Sequence, residues 1–249
     1  MYYFGLYHWR ERLRSLFVGC CSLLALALIR RLTPSKRLRS LAGIALFPAL
    51  SRAVTAGSKL LRPPPWSLER YKYDALGTEL PFKGKNNLLD IGCGTGRSLV
   101  GLAPHLPEGS SVVGLDVFDD RVILGNAPLL ARRNASKAGI DVIPVRGDAA
   151  RIPLKGNSQD LVTACRVLHD LPEENHERTL REIRRVCRPD GVLGILEIPI
   201  APGERDPETY WRERVTESGF AVQKVNRVPR KGDGEPYIVI VAEPSSGRA

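Results

Sequence analysis

At 249 residues, 43% hydrophobic and 26% charged, the chain is long enough for one large α/β domain plus an appendage and too apolar to be disordered. The whole formal charge of +10 lies in residues 1–65, which hold eleven Lys/Arg and one acid, Glu11, whereas residues 66–249 balance 26 basic against 26 acidic residues. A folded part without net charge argues against a nucleic-acid groove, and a basic appendage argues for contact with something anionic. The five cysteines (Cys20, Cys21, Cys93, Cys165, Cys187) show no CxxC or CxxH spacing. That speaks against a disulfide framework or a zinc site and for a reducing cytosol around the folded part.

The first predicted element is a helix through Ser15–Ile29, uncharged and mostly apolar. Its length of about 22 Å falls short of the ~30 Å hydrocarbon core unless Leu13, Leu32 and snorkelling arginines extend it. A second apolar stretch from Leu41 is interrupted by Pro48 and Arg52, which suits an interfacial helix better than a span. Arg30 and Arg31 stand where a secretory signal would place small residues for cleavage. Arg30, Arg31, Lys36, Arg37 and Arg39 after the first segment, against Arg10, Arg12 and Arg14 before it, keep the rest of the chain on the cytoplasmic side. Residues 1–65 therefore read as a membrane-associating segment, with two soluble helices as the other reading. Cys20 and Cys21 inside it are packing residues or acylation sites. The sequence RPPPW, Arg62–Trp66, predicts a stiff extended linker, so that a second domain occupies residues 66–249.

From Trp66 onward, β-rich runs alternate with helical ones, the order that builds a parallel sheet covered on both faces. Strands are predicted at 87–92, 111–117, 141–147, 160–167, 191–198, 221–226 and 237–243, and helices at 97–103, 122–138, 174–187 and 207–218. In the third helix Leu180, Ile183 and Cys187 recur on one face, and Asp190-Gly191 is predicted to turn into the next strand. The last two strands have no room for a helix between them and should pair antiparallel at an edge. The expectation is an α/β fold, a Rossmann-like sheet of seven strands with one reversed, preceded by the N-terminal hydrophobic helical segment.

LLDIGCGTGR, residues 88–97, carries the chemistry. Glycines at Gly92, Gly94 and Gly96, between a strand and a helix, allow a tight turn and a close backbone approach to a ligand. Their GxGxG spacing is not the GxGxxG of dinucleotide-binding folds. Asp116 ends the next strand, where an acid accepts hydrogen bonds from both ribose hydroxyls.

With DIGCGTG at the first strand, GLDV at the second, GDAARIPL after the third, DLVTACRVLHDLP at the fourth and LREIRRVCRPDGVLGILE beyond it, the chain resembles the class I S-adenosylmethionine-dependent methyltransferases over roughly 87–242. It is most similar to their quinone-, sterol- and small-molecule-methylating branch. The resemblance implies that Asp90 orients the loop and the methionine end of S-adenosylmethionine, with Gly92, Cys93, Gly94 and Gly96 against the cofactor. It also implies that Asp116 holds the ribose, that Asp148 and the Ala149 backbone meet the adenine, and that Arg166–Leu168 line the methionine side. An Asx-turn acid is the alternative reading of Asp148. His169 and Asp170 are placed to act as a base toward the acceptor, and His169 equally as a structural donor. Glu197 is a second candidate base, and Tyr71 and Tyr73 are candidate lid residues.

The passage from the fifth strand to the next helix, IPIAPGERDPETY, leaves little room for an acceptor lid. A small, lipid-like or membrane-partitioned acceptor follows as the expected substrate. A soluble metabolite, and a cofactor-binding membrane scaffold without catalysis, are the alternatives. No metal and no nucleic acid are expected as partners.

Overall fold

The computed structural model describes residues 1–82, 84–232 and 234–245. The chain divides into two compact units, Met1–Ser67 with Asp119–Asn126, and Leu68–Phe118 with Ala127–Ala249.

In the first unit a short strand β1 (Leu6–Tyr7) precedes two helices, α1 (Trp9–Leu32) and α2 (Lys36–Leu60). The hydroxyl of Ser35 caps α2 by accepting from the Leu38 amide. At 24 and 25 residues, each helix runs about 36 Å, long enough to cross a membrane, and both are apolar enough to do so. The first helix is thus longer than its uncharged centre. The second is continuous through Pro48, where the sequence suggested a break; the proline forgoes one intrahelical hydrogen bond, but α1 lies alongside. The two helices meet through small side chains: Ala42, Ala49, Ala53 and Ala56 are buried, and a Cβ on Gly19 would lie 3.0 Å from the Ala53 Cα. The proline stretch forms turns rather than an extended rod. The Ser67 amide donates to the Pro64 carbonyl, and Arg12 Nη1 donates to the carbonyl of Arg62. Strand β4 (Ile123–Leu124) pairs antiparallel with β1.

The second unit opens with α3 (Arg70–Gly77). It continues through β2 (Asn87–Ile91), α4 (Arg97–Leu102), β3 (Ser111–Asp116), α5 (Pro128–Lys137), β5 (Val142–Arg146), β6 (Gln159–Cys165), α6 (Glu173–Val186), β7 (Cys187–Glu197), α7 (Pro207–Glu217), β8 (Phe220–Val228) and β9 (Tyr237–Pro244). The seven-stranded sheet has the order β5-β3-β2-β6-β7-β9-β8. Pairs from β5 to β7 are parallel, and β9 runs antiparallel to both β7 and β8, so one strand is reversed, as expected. Both faces are covered: Leu89, Ile91, Val162 and Ile195 pack with Leu180, Ile183 and Trp211 on one side, and Leu88, Val112 and Leu161 pack with Tyr73, Leu76 and Leu99 on the other. Strands buried on both faces read as continuous apolar runs, which is why they were legible.

Two local expectations are corrected. Residues 122–127 are not helical: Gly125 takes φ +82°, and α5 starts only at Pro128, whose fixed φ suits the first helical position. Asp190-Gly191 does not precede a strand but lies within β7. Gln159 faces Cys187 and Leu161 faces Val192, so the intervening residues bulge out of the ladder.

Candidate active site

The carboxyl ends of β2, β3, β6 and β7 lie side by side in the sheet, the edge at which open α/β sheets bind ligands. The loop after β2 holds Gly92, Gly94 and Gly96 at φ +66°, +50° and +81°, a region closed to most side chains. A Cβ on Gly92 would stand 2.2 Å from Val167 Cγ2, and one on Gly96 would stand 2.9 Å from the Ala131 carbonyl oxygen. At these two glycines the close approach is to the chain itself, against the loop after β6 and against α5. Gly94 instead points its amide at the strand-end acid, donating to Asp116 Oδ2 at 3.0 Å. The other oxygen of Asp116 accepts from the Phe118 amide at 2.6 Å, so the carboxylate is fixed at the rim by backbone on both sides. Cys93 serves the loop through its backbone and through its thiol, which donates weakly to the Gly94 carbonyl at 3.9 Å. Its amide donates to Leu115, and its buried thiol, pushed well up by desolvation, faces Gly114.

Asp90 lies beneath the loop and is fully buried. It accepts from Ser98 Oγ at 2.5 Å and from Thr163 Oγ1 at 2.7 Å, which ties α4 and β6 to β2. Burial raises its pKa to about 6 against the pull of those two hydroxyls. Ser98 and Thr163 carried no signal in the sequence. Asp148 caps a short 3-10 turn by accepting from the Ala150 amide at 2.9 Å, so the Asx turn exists, with the side chain exposed and Ala149 buried behind it.

Past β6, Arg166 takes φ +58°, rare for a residue with a side chain, and its amide donates to the Leu196 carbonyl at 2.7 Å. The turn presents His169 to Glu197. His169 Nδ1 lies 2.5 Å from Glu197 Oε1, and Nε2 lies 3.3 Å from Asp170 Oδ1. Glu197 is fully buried and also accepts from the amides of Leu168 (3.0 Å), His169 (3.4 Å) and Ile198 (2.9 Å). Its acceptor capacity is filled from within, which removes it as a base and makes it the group that aims the imidazole. Burial opposes a charge on His169, but Glu197, with Asp170 beside it, outweighs that and holds the pKa above its usual value.

The sequence missed Lys72. This side chain is buried, donates to Glu69 Oε2 at 2.6 Å and to the Tyr237 hydroxyl at 3.1 Å, and lies 4.8 Å from the Tyr237 ring centre. Burial and then the Arg166 charge push its pKa down to about 8, against Glu69. Its place four residues before buried Leu76 was the available signal. Tyr73 is no lid: it is core, with its ring filling the space a Cβ on Gly101 would need. Tyr71 accepts from the Lys231 amide through its hydroxyl.

The donor set fits the group the resemblance implies. Asp90 and Asp116 bracket a loop, Gly92–Gly96, without Lys or Arg, which suits a cationic sulfonium and ribose hydroxyls and not a phosphate.

Comparison with known proteins agrees. The family described as "Methyltransferase domain" matches residues 88–191. Demethylmenaquinone methyltransferase of Lactobacillus johnsonii is 33% identical over 48% of this chain and 46% of its own length. The 27-O-demethylrifamycin SV methyltransferase of Amycolatopsis mediterranei is 32% identical over 61% of this chain and 53% of its own. The chain thus spans about half the length of the curated relatives it matches. The 1,6-didemethyltoxoflavin-N1-methyltransferase of Burkholderia thailandensis, solved with 1,6-didemethyltoxoflavin and S-adenosylhomocysteine bound, superposes with a TM-score of 0.57 at 20% identity, over 72% of this chain and 80% of that one, and so shares its fold. Residues 88–191 thus match a methyltransferase domain, and the sheet that carries them has the class I methyltransferase fold.

Proposed function

We propose that the protein transfers a methyl group from S-adenosylmethionine to a small quinone-like or lipid-like acceptor that partitions into a membrane, and that residues 1–65 hold it there with the catalytic domain on the cytoplasmic side. The observation that carries the reading is the pairing, on one sheet edge, of the Gly94–Asp116 clasp with the Glu197–His169 dyad. The cofactor supplies a methyl group already activated on sulfur. Asp116, set by two amides, accepts from vicinal ribose hydroxyls. Asp148 and the Ala149 backbone meet the adenine edge, and Gly92–Gly96 with Arg166 border the methionine end. Asp90 holds the loop in place from below through Ser98 and Thr163.

His169 takes the proton that the acceptor loses. Glu197 keeps the Nδ1 proton in place, so Nε2 is the accepting atom, and Asp170 stabilises the imidazolium that results. The acceptor class draws on the relatives, whose names specify demethylmenaquinone and demethylrifamycin SV. The membrane draws on two helices of sufficient length and on the confinement of net charge to their end of the chain.

The test supplies radiolabelled S-adenosylmethionine and membranes to the full-length protein and partitions the products. Label is expected in the organic phase, and His169→Gln is expected to cut it by about 10²–10⁴-fold with cofactor affinity unchanged. Label confined to water overturns the lipid-like acceptor in favour of a soluble metabolite. Cofactor binding with no label in either phase overturns the enzyme reading in favour of a scaffold.

A further inference from the structure

The first unit contains a feature that methyl transfer does not use. Between α1 and α2 lies a groove of about 620 Å³ whose walls include Arg14, Ser15 and Ser22 from the first helix and Arg52, Thr55 and Lys59 from the second. The spacing puts each set on one face: Arg14, Val18 and Ser22 follow at intervals of four, and Arg52, Thr55 and Lys59 at three and four. Gly19, Ala49 and Ala56 also line the groove, and Gly19 is packed so closely on Ala53 that a Cβ there would stand 3.0 Å from the Ala53 Cα. Among the described residues, none of the three cations makes an ion pair or side-chain hydrogen bond, and no acid lines the groove. The outer surface of the same hairpin is apolar, with Phe17, Leu24, Ile44 and Phe47 exposed.

Three like charges around one groove repel each other, and Glu11, the one acid of residues 1–65, lines the adjoining recess with Lys59 but makes no ion pair with any of the three among the described residues. Exposed polar and cationic groups gathered along one groove of an otherwise apolar helix pair offer a ligand site, and an anion with hydroxyl-bonding oxygens satisfies this set. A ligand that also lies against Val18, Pro48 and Ala49 of the lining is an amphiphile. We propose that the α1–α2 groove binds the phosphodiester headgroup of an anionic phospholipid, held by Arg14, Arg52 and Lys59 with the Ser and Thr hydroxyls on the remaining oxygens. The site rests on the membrane reading above and gives it a lipid specificity that basic charge alone does not.

The experiment is flotation of the full-length protein with vesicles of phosphatidylcholine alone and of phosphatidylcholine with an equal part of phosphatidylglycerol. Two variants each remove three charges: Arg14→Gln/Arg52→Gln/Lys59→Gln in the groove, and Arg30→Gln/Arg31→Gln/Arg37→Gln at the helical turn. The wild type is expected to prefer the anionic vesicles. The groove variant should lose that preference by about fivefold per charge removed, while the turn variant keeps most of it and both still float with phosphatidylcholine. Arg52→Lys, which keeps the charge, should retain the preference and shows that loss does not reflect misfolding.

Equal loss in both triple variants, or no preference in the wild type, overturns the site and leaves the membrane reading standing. Abolition of the preference by inorganic phosphate at constant ionic strength reassigns the groove to free phosphate. Failure of the wild type to float with either vesicle overturns the membrane reading and the site together.

Discussion

Glu197 makes hydrogen bonds only to its own surroundings, to three amides and one imidazole, so its replacement tests positioning without touching a substrate. Glu197→Gln keeps the shape and removes the charge that holds the His169 pKa up. A base works when unprotonated, so the rate should rise with pH through the folded-state pKa of His169, which lies above the usual 6.5. In Glu197→Gln that acid limb should move to lower pH while kcat on the plateau falls, because the Nδ1 proton is no longer fixed. A plateau loss with an unmoved limb would assign Glu197 to structure alone. Asp90 gives the opposite kind of test. Its folded-state pKa of about 6 lies above the ordinary 3.8, so the stability it contributes is present below about pH 4 and lost as pH rises through 6. Asp90→Asn has no such titration. The stability advantage of the wild type over this variant should therefore shrink between pH 4 and pH 7, by ~1–3 kcal/mol at full burial, as read from denaturant midpoints. A gap constant with pH would show that Asp90 does not ionise in this range.

The elements that could be read from the sequence are those whose pattern is set by burial or by glycine. Strands β2, β3, β6 and β7 lie between two apolar layers and read as runs of Leu, Val and Ile, and Asp90-Ile91-Gly92 marks where a strand gives way to a loop. The same reasoning points to Asp116, which ends β3, and to His169 in the turn just past β6, because polar residues at or beyond the end of a buried strand face the sheet edge. What was illegible depends on contacts between distant segments. The excursion of Arg188–Asp190 within β7 is set by pairing with β6, and a local Asp-Gly cannot report it. Likewise Tyr73 is core because Gly101 in α4 leaves room for its ring, and Lys72 is buried because Tyr237, far along the chain, arrives from β9 to accept a hydrogen bond from it. Gly92 and Gly96 could be flagged as sites of close approach. That the approaching groups are Val167 and Ala131 is a fact of tertiary packing. Pro48 shows the reverse error: propensity predicts a break where the neighbouring helix sustains a continuous one.

At the scale of the whole molecule, charge and structure divide the chain at nearly the same place. The unit that begins with Met1 holds nearly all of the net charge and both long apolar helices, whereas the sheet-bearing unit is close to neutral and contains every residue assigned to the cofactor. A two-part protein of this kind makes a separable prediction. A chain beginning at Leu68 should leave the membrane fraction, yet bind S-adenosylmethionine within about threefold of the full-length affinity, a difference under ~1 kcal/mol. The division is not clean in sequence, since Asp119–Asn126 follows β3 but pairs its strand β4 with β1, which the truncation removes. Amides of Ile123 and Leu124 should consequently exchange faster in the truncated chain, while those of β2 and β6 stay protected. Unchanged sedimentation with washed membranes would place the membrane contact in the second unit. Loss of cofactor affinity with protection of β2 intact would show that the first unit contributes to the site.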